Sequence, residues 1–232
     1  MATTLADASA PAAAAAAPPR KASYRFLLLF RFGILNLTGF ALLGAVWMQG
    51  WLDPLFEADS LTHMCKLIFV LFLVGLARAG REVGRLSFEL NQLEAWSPLP
   101  GSRVATYLAD TGRQDSAARA TLAETMRLRL AQKIAPVRHA ASRLVMLGII
   151  GTILGFIIAL YGGVNPEWAS DVQAVGPMVA LVLRGIGMAF FKTLTGSVLN
   201  LWLMINYRLL EEGTVHLVTH LTELGERRHA DA

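Results

Sequence analysis

An uncharged segment from Leu144 to Pro166 is the feature that most constrains the fold of this chain. A membrane-spanning helix needs about 20 predominantly apolar residues, and this segment is long enough. On a helix its small and hydroxyl residues recur three or four positions apart and therefore share one face. That face is formed by Gly148, Gly151, Thr152, Gly155 and Ala159. Because association of helices in lipid depends on close packing, the segment is predicted to face protein or water on this side.

The composition is that of a membrane protein. Of 232 residues, 54% are hydrophobic and 16% are charged, whereas soluble domains carry about 25% charged residues. The net charge of +4 comes from bases that flank apolar segments, which fits membrane topology better than nucleic-acid binding. The single cysteine, Cys65, excludes an internal disulfide and a cysteine-cluster metal site. We therefore expect an all-α membrane protein in the lipid bilayer, with no nucleic-acid partner.

Four membrane spans are predicted. The first lies in the uncharged stretch 32–52; a cleaved signal peptide is the alternative, but the apolar part is longer than a signal core. The second reaches from Leu61 to Ala77 if Lys66 extends to the interface. The third ends near Tyr161, and the fourth lies within Gly185–Tyr207. Since bases favour the inner side, four spans place both termini and the arginine-rich central part in the cytoplasm.

Five parts of the chain follow from this topology. Residues 1–22 form an Ala/Pro-rich arm that is expected to be disordered. The other parts are transmembrane helices 1 and 2 (23–79), a cytoplasmic helical loop (80–143), transmembrane helices 3 and 4 (144–207) and a cytoplasmic C-terminal helix (208–232). In that last helix a stripe at alternating four and three spacing, from Leu210 to Leu224, is predicted to pack on a copy of itself.

The fourth span repeats the pattern of the third. Its shared face carries Gly185, Ala189, Thr193, Gly196 and Asn200. A base inside a span, here Lys192, is costly and marks a functional site by default. Because the four spans contain no Asp or Glu, this lysine is either neutral or paired with an acid of another chain. The alternative is that both faces only pack helices, with each threonine bonding its own backbone four residues back.

Motifs for bond-making chemistry are absent from the sequence. It has no phosphate-binding loop ending in Lys-Ser/Thr, no nucleophile elbow and no His-Glu-x-x-His pattern. His216 and His220 share a helix face, but no third ligand type accompanies them there. We expect neither an enzyme nor a bound metal or cofactor.

Two segments resemble the MotA/TolQ/ExbB proton-channel family: Leu147–Phe156 (LGIIGTILGF) and Gly185–Asn200 (GIGMAFFKTLTGSVLN). The resemblance implies that the third and fourth spans line the pore of a homo-oligomer, a pentamer in the family. It further implies that the hydroxyls of Thr152 and Thr193 face the lumen and conduct the ion. The residues around them would line the pore or pack its helices, namely Gly148, Gly151, Gly155, Ala189, Lys192, Gly196 and Asn200. A single-span partner of the MotB/TolR/ExbD type would supply an intramembrane aspartate.

The function implied by the resemblance is that of a proton-channel subunit in a bacterial inner-membrane complex. Such a complex converts proton motive force into mechanical work or energised transport, including protein transport. The chain departs from the family at two positions. Met188 stands where TolQ- and ExbB-like members often have a glutamate, and Lys192 stands where relatives usually have a small or hydroxyl residue. Two alternatives are a non-conducting membrane scaffold, which would use the same faces only for packing, and a solute transporter, which the lack of broken helices disfavours.

Overall fold

The structure is a computed structural model, and it describes residues 26–50, 63–94, 107, 116–163 and 175–230. The predicted disordered arm at 1–22 lies outside these residues.

The described residues form four helices and no strand, which confirms the all-α prediction. They are α1 (Leu27–Met48), α2 (Met64–Glu94), α3 (Ser116–Gly163) and α4 (Val175–Ala230). α3 begins at Ser116 and runs through Pro136 as one helix. Each long helix therefore joins an apolar part and a charged part without interruption.

Within the described residues, three helical segments are long and apolar enough to cross a membrane: Leu27–Met48, Ala117–Tyr161 and Val175–Glu226. Their apolar parts expose large side chains, as lipid-facing helices do; Ile153 is 54% exposed and Leu194 is 56% exposed. α2 is not among the three, because its charge-free part reaches only from Leu67 to Ala77. The second of the four predicted spans, which lies on α2, stays a prediction.

The core lies where α2, α3 and α4 meet. Phe72 of α2, Leu144 of α3 and Leu203 of α4 are fully buried in one cluster. α1 packs on the outside of this core, and only Asn36 is buried along its length. The core thus holds α3 and α4 together on one side while their lipid-facing sides stay open.

The leucine stripe of the C-terminal part of α4 packs within the chain. Leu217 and Leu221 are buried in a second cluster with Leu86 of α2 and Leu130 of α3. The prediction that this stripe packs on a copy of itself is wrong. The reason is that the charged parts of α2 and α3 extend beside α4 and cover the stripe first.

α3 and α4 are antiparallel and keep one register over their whole contact. Arg119 meets Glu226, Thr152 meets Thr193, and Ala159 meets Gly185. Each step forward along α3 is therefore matched by one step back along α4. This register decides which residues of the two helices face each other.

Candidate functional site

The hydroxyls of Thr152 and Thr193 form a hydrogen-bonded pair between α3 and α4. Both side chains are half-buried. Each lies in the apolar part of its helix, so the pair places two hydroxyl groups together inside a segment that can span a membrane. Hydroxyls at that depth need a partner or water, and here each has the other.

Backbone carbonyls complete the surroundings of the hydroxyl pair. The Thr152 hydroxyl lies 3.0 Å from the Gly148 carbonyl and 2.9 Å from the Ala189 carbonyl. The Thr193 hydroxyl lies 3.2 Å from the same Gly148 carbonyl. Each hydroxyl has one proton and two acceptor lone pairs, so two protons are shared among these contacts. Either threonine can therefore donate to the other, and the direction of the bond can reverse by rotation of the hydroxyls.

Glycines bring the two helices close enough for this pair to form. A Cβ added at Gly148 would lie 3.1 Å from the Lys192 carbonyl oxygen and 3.2 Å from the Thr193 Cα. A Cβ added at Gly196 would lie only 2.6 Å from the Leu144 carbonyl oxygen, and one at Gly155 would lie 2.9 Å from the Ala189 Cβ. The absence of side chains at these positions is what lets backbone meet backbone.

Lys192 is buried beside the hydroxyl pair, with 5% of its surface exposed. A Cβ added at Gly151 would meet the lysine's Cβ at 3.3 Å and its Cδ at 3.2 Å, so the aliphatic stem lies across this glycine. The stem fills the space that Gly151 leaves open. The lysine thus takes part in the packing of α3 on α4 as well as carrying an amine into the apolar layer.

The residues predicted from the sequence for this site come together along one contact. Gly148, Gly151, Thr152 and Gly155 of α3 meet the predicted residues of α4, which are Ala189, Lys192, Thr193 and Gly196. Asn200 lies one turn beyond Gly196 and is half-buried. The predicted roles in ion conduction stay predictions.

A second polar cluster was missed by the sequence analysis. The Asn36 amide of α1 donates to the Asn206 side-chain oxygen of α4 at 2.8 Å, and the Trp202 indole donates to the Asn36 oxygen at 2.9 Å. Asn206 is fully buried. An amide near one end of each apolar segment was the available signal. This signal could not be used because the order of residues within each segment does not indicate that the two amides contact each other.

The part of the chain that the structure describes contains no cluster of metal-binding side chains. It contains no group of three or more His, Cys, Asp or Glu side chains placed to hold an ion. The rings of His216 and His220 stack with their centroids 6.5 Å apart, and the His220 Nδ1 atom lies 4.0 Å from a Glu223 oxygen.

Three apolar helices and a close-packed polar pair between two of them define a multi-pass helical membrane protein. The model of the MotA/TolQ/ExbB proton channel family matches residues 101–223, slightly more than half of the chain. The chain belongs to this family. A search of curated proteins and a search of solved structures each found no match.

Proposed function

We propose that the chain is a proton-conducting subunit of an inner-membrane complex that turns proton motive force into mechanical work or energised transport. The observation that carries the proposal is the hydroxyl pair of Thr152 and Thr193, in a chain of the proton channel family. A proton path through an apolar layer needs groups that both donate and accept. The reversible bond between these two hydroxyls supplies such a step.

In this proposal the complex is a homo-oligomer with a single-span partner. The partner's intramembrane carboxylate takes up the proton, and its neutralisation releases the charge that held the partner in one register. Repeated uptake and release then drive relative rotation of the two components. The sequence of spans 3 and 4, which offers hydroxyls but no acid, supports a division of labour of this kind.

The proposed topology has four spans with both termini in the cytoplasm. The surface of α2 supports the predicted second span. Its N-terminal part buries Ile68 and Phe72 in the core and exposes Val70 and Val74 by more than half. An apolar exposed face opposite a core face is what a span at the edge of a bundle presents to lipid. The bases that follow Ala77 along α2 then lie at the inner surface, as the positive-inside rule requires.

Proton flux through the purified complex tests the proposal. The complex is purified from native membranes, reconstituted into vesicles and driven by a potassium gradient, and internal pH is read with a dye. Thr193→Val keeps the shape of the side chain and removes the hydroxyl, so we expect flux to fall at least tenfold. Thr193→Ser keeps the hydroxyl and is the matched control, for which we expect most of the flux to remain. Native mass spectrometry of each variant reports whether the assembly is intact.

A non-conducting scaffold is the second candidate, and one observation favours it. Both threonine hydroxyls lie within bonding distance of backbone carbonyls, as expected if they only join the helices. A scaffold predicts no proton flux in the wild-type complex, and nearly silent Thr152→Ala and Thr193→Ala variants in any assembly assay. Wild-type flux in Thr193→Val would count against the proposed proton path.

A further inference from the structure

The charged parts of α3 and α4 enclose a groove of about 990 Å³ on the side away from α2. Its floor is apolar and includes Ala123, Ile134 and Val218. Its rim carries four carboxylates, which are Glu124, Glu211, Glu223 and Glu226. An apolar floor with an acidic rim fits an occupant that presents both apolar and basic side chains.

The rim remains acidic after its own contacts are counted. Among the described residues, Arg127 is the one basic side chain that lines the groove, and it lies 3.8 Å from Glu124. Glu226 binds Arg119 at the far end. Glu211 is exposed and accepts a long hydrogen bond, 3.4 Å, from the neutral Tyr207 hydroxyl. Among the described residues Glu211 thus forms no ion pair, and it is open to a base that arrives from outside.

The complementary surface is on the same chain. Arg129 and Lys133 of α3 are exposed, and each lies two residues beyond a groove residue, Arg127 or Ala131. Neither base lines the groove, and on a helix Arg129 lies about 200° from Arg127 while Lys133 lies about 200° from Ala131 and about 100° from Ile134, so both bases lie outside the groove on another side of α3. The groove with its acidic rim thus borders one side of α3, and another side of α3 carries exposed bases.

The two surfaces also lie at the same depth. Arg119 of α3 is level with Glu226 of α4. Lys133 lies fourteen residues after Arg119, and because the helices are antiparallel it is level with the residue fourteen positions before Glu226, which is residue 212. Glu211 is the next residue, about 1.5 Å away along the axis. Copies of a membrane protein that are inserted in the same orientation share one membrane plane, and in a closed ring they are related by rotation about its normal. Matching depth is therefore the condition that a second copy must meet, and this pair meets it.

We propose that the groove receives the Arg129–Lys133 face of a neighbouring copy of the chain, with Lys133 of that copy bound to Glu211. The contact is head-to-tail, so it leaves one groove and one basic face open for the next copy until a ring closes. The inference rests on the homo-oligomer of the proposed function and names the surfaces that build it.

Cross-linking in the intact membrane is the first test. Lys133→Cys/Glu211→Cys is treated with a short bis-maleimide before solubilisation. We expect a ladder of covalent multimers on a denaturing gel, because the two sites lie on different copies. The single variants Lys133→Cys and Glu211→Cys are the controls and should stay monomeric, since the native Cys65 is buried. Absence of the ladder in the double variant would overturn the proposal.

A charge swap is the second test and depends on no added cysteine. Lys133→Glu and Glu211→Lys each place like charges at every contact, so we expect each to lower the oligomer fraction in native mass spectrometry at least fivefold. The double variant Lys133→Glu/Glu211→Lys restores an ion pair at every contact and should return the oligomer. His216→Glu adds a carboxylate at an exposed position outside both the groove and the Arg129–Lys133 face, and should leave the oligomer unchanged. Failure of the double variant to recover would contradict the proposed pairing.

The outcomes separate this inference from the proposed function. A homo-oligomer without the Lys133–Glu211 link would refute the docking surface and leave the proposed proton channel unaffected. Another protein found bound in the groove would have the same consequence. A cross-linked ring that carries no protons would refute the channel and retain the docking surface. A wild-type chain that is monomeric in native membranes would refute both.

Discussion

Asn36 of α1 and Asn206 of α4 bind each other through their side-chain amides, although 170 residues separate them in the sequence. The Asn36 amide donates at 2.8 Å, and the Asn206 amide donates back at 3.3 Å. α1 has no other buried residue, so this polar contact and the ring of Trp202, together with the partly buried Leu28 and Phe32, hold α1 against the other helices. Gly39 leaves room for that ring, since a Cβ there would collide with it.

Replacement of Asn36 by Leu should loosen α1. The change leaves the fully buried Asn206 and the Trp202 indole each without one partner, and we expect a loss of about 1–2 kcal/mol in the free energy of unfolding. Asn36→Leu/Asn206→Leu removes both amides and should recover part of that loss. The measurement is unfolding in detergent micelles by tryptophan fluorescence. Thr38→Leu, at an exposed position of α1, is the control; an equal loss there would refute a specific role for the amide pair.

A methyl group at Gly196 should push α3 and α4 apart. Its Cβ would lie 2.6 Å from a backbone oxygen of α3, which cannot rotate away, and overpacking of this kind costs about 1–3 kcal/mol. Gly187→Ala is the matched control on the same helix, because a Cβ there meets nothing within 4 Å. We expect a lower melting temperature for Gly196→Ala, and an unchanged or higher one for Gly187→Ala. Equal melting temperatures for the two variants would show that the close approach of the helices at Gly196 does not stabilise the packing of α3 on α4.

The faces through which α3 and α4 meet could be predicted from the sequence because a helical period assigns residues to a face, whereas their contact with each other was not predicted. Gly148, Thr152, Thr193 and Gly196 each lie on the small-residue side of a segment, and two such sides pack best on each other. The constant register then follows from the antiparallel connection. The hydroxyl pair is therefore a consequence of local spacing plus one packing rule.

The remaining features depend on which helix faces pack against each other in the folded chain. The spacing of residues along the sequence does not contain that information. The stripe of Leu217 and Leu221 has the period of a self-associating helix, but α2 and α3 cover it within the chain. Asn36 and Asn206 are ordinary amides in sequence and become a buried pair only once α1 lies against α4. The acidic groove likewise appears only when Glu124 and Glu211 are brought to the same side of the bundle.

Lys192 should contribute to stability through its stem. Lys192→Met keeps an unbranched apolar chain over Gly151, whereas Lys192→Ala opens a void between the helices. Because long cationic side chains pack by their methylenes, we expect Ala to destabilise the protein by about 1–2 kcal/mol more than Met does. Thermal unfolding in micelles gives the comparison. Equal melting temperatures for the two variants would show that the stem does no packing.

The ion pair of Arg119 and Glu226 should hold the ends of α3 and α4 that lie furthest from the apolar layer. Two contacts, of 3.1 and 3.3 Å, join the guanidinium to the carboxylate. The Arg119 side chain is 8% exposed and the Glu226 side chain is 57% exposed. Loss of the glutamate therefore removes the carboxylate that binds a nearly buried guanidinium at the helix ends. Glu226→Ala should therefore open these ends locally, with little effect on global unfolding.

Amide hydrogen exchange measures that opening directly. For Glu226→Ala we expect exchange at residues 117–122 and 220–226 to rise severalfold while the Thr152 region stays protected. Glu124→Ala removes the carboxylate of a pair within one helix, 3.8 Å from Arg127, and should leave exchange across the two helix ends unchanged. Exposed pairs of that kind contribute at most about 1 kcal/mol. Similar exchange in both variants would mean that the buried arginine is held by other contacts and that Glu226 does not set the register of the ends.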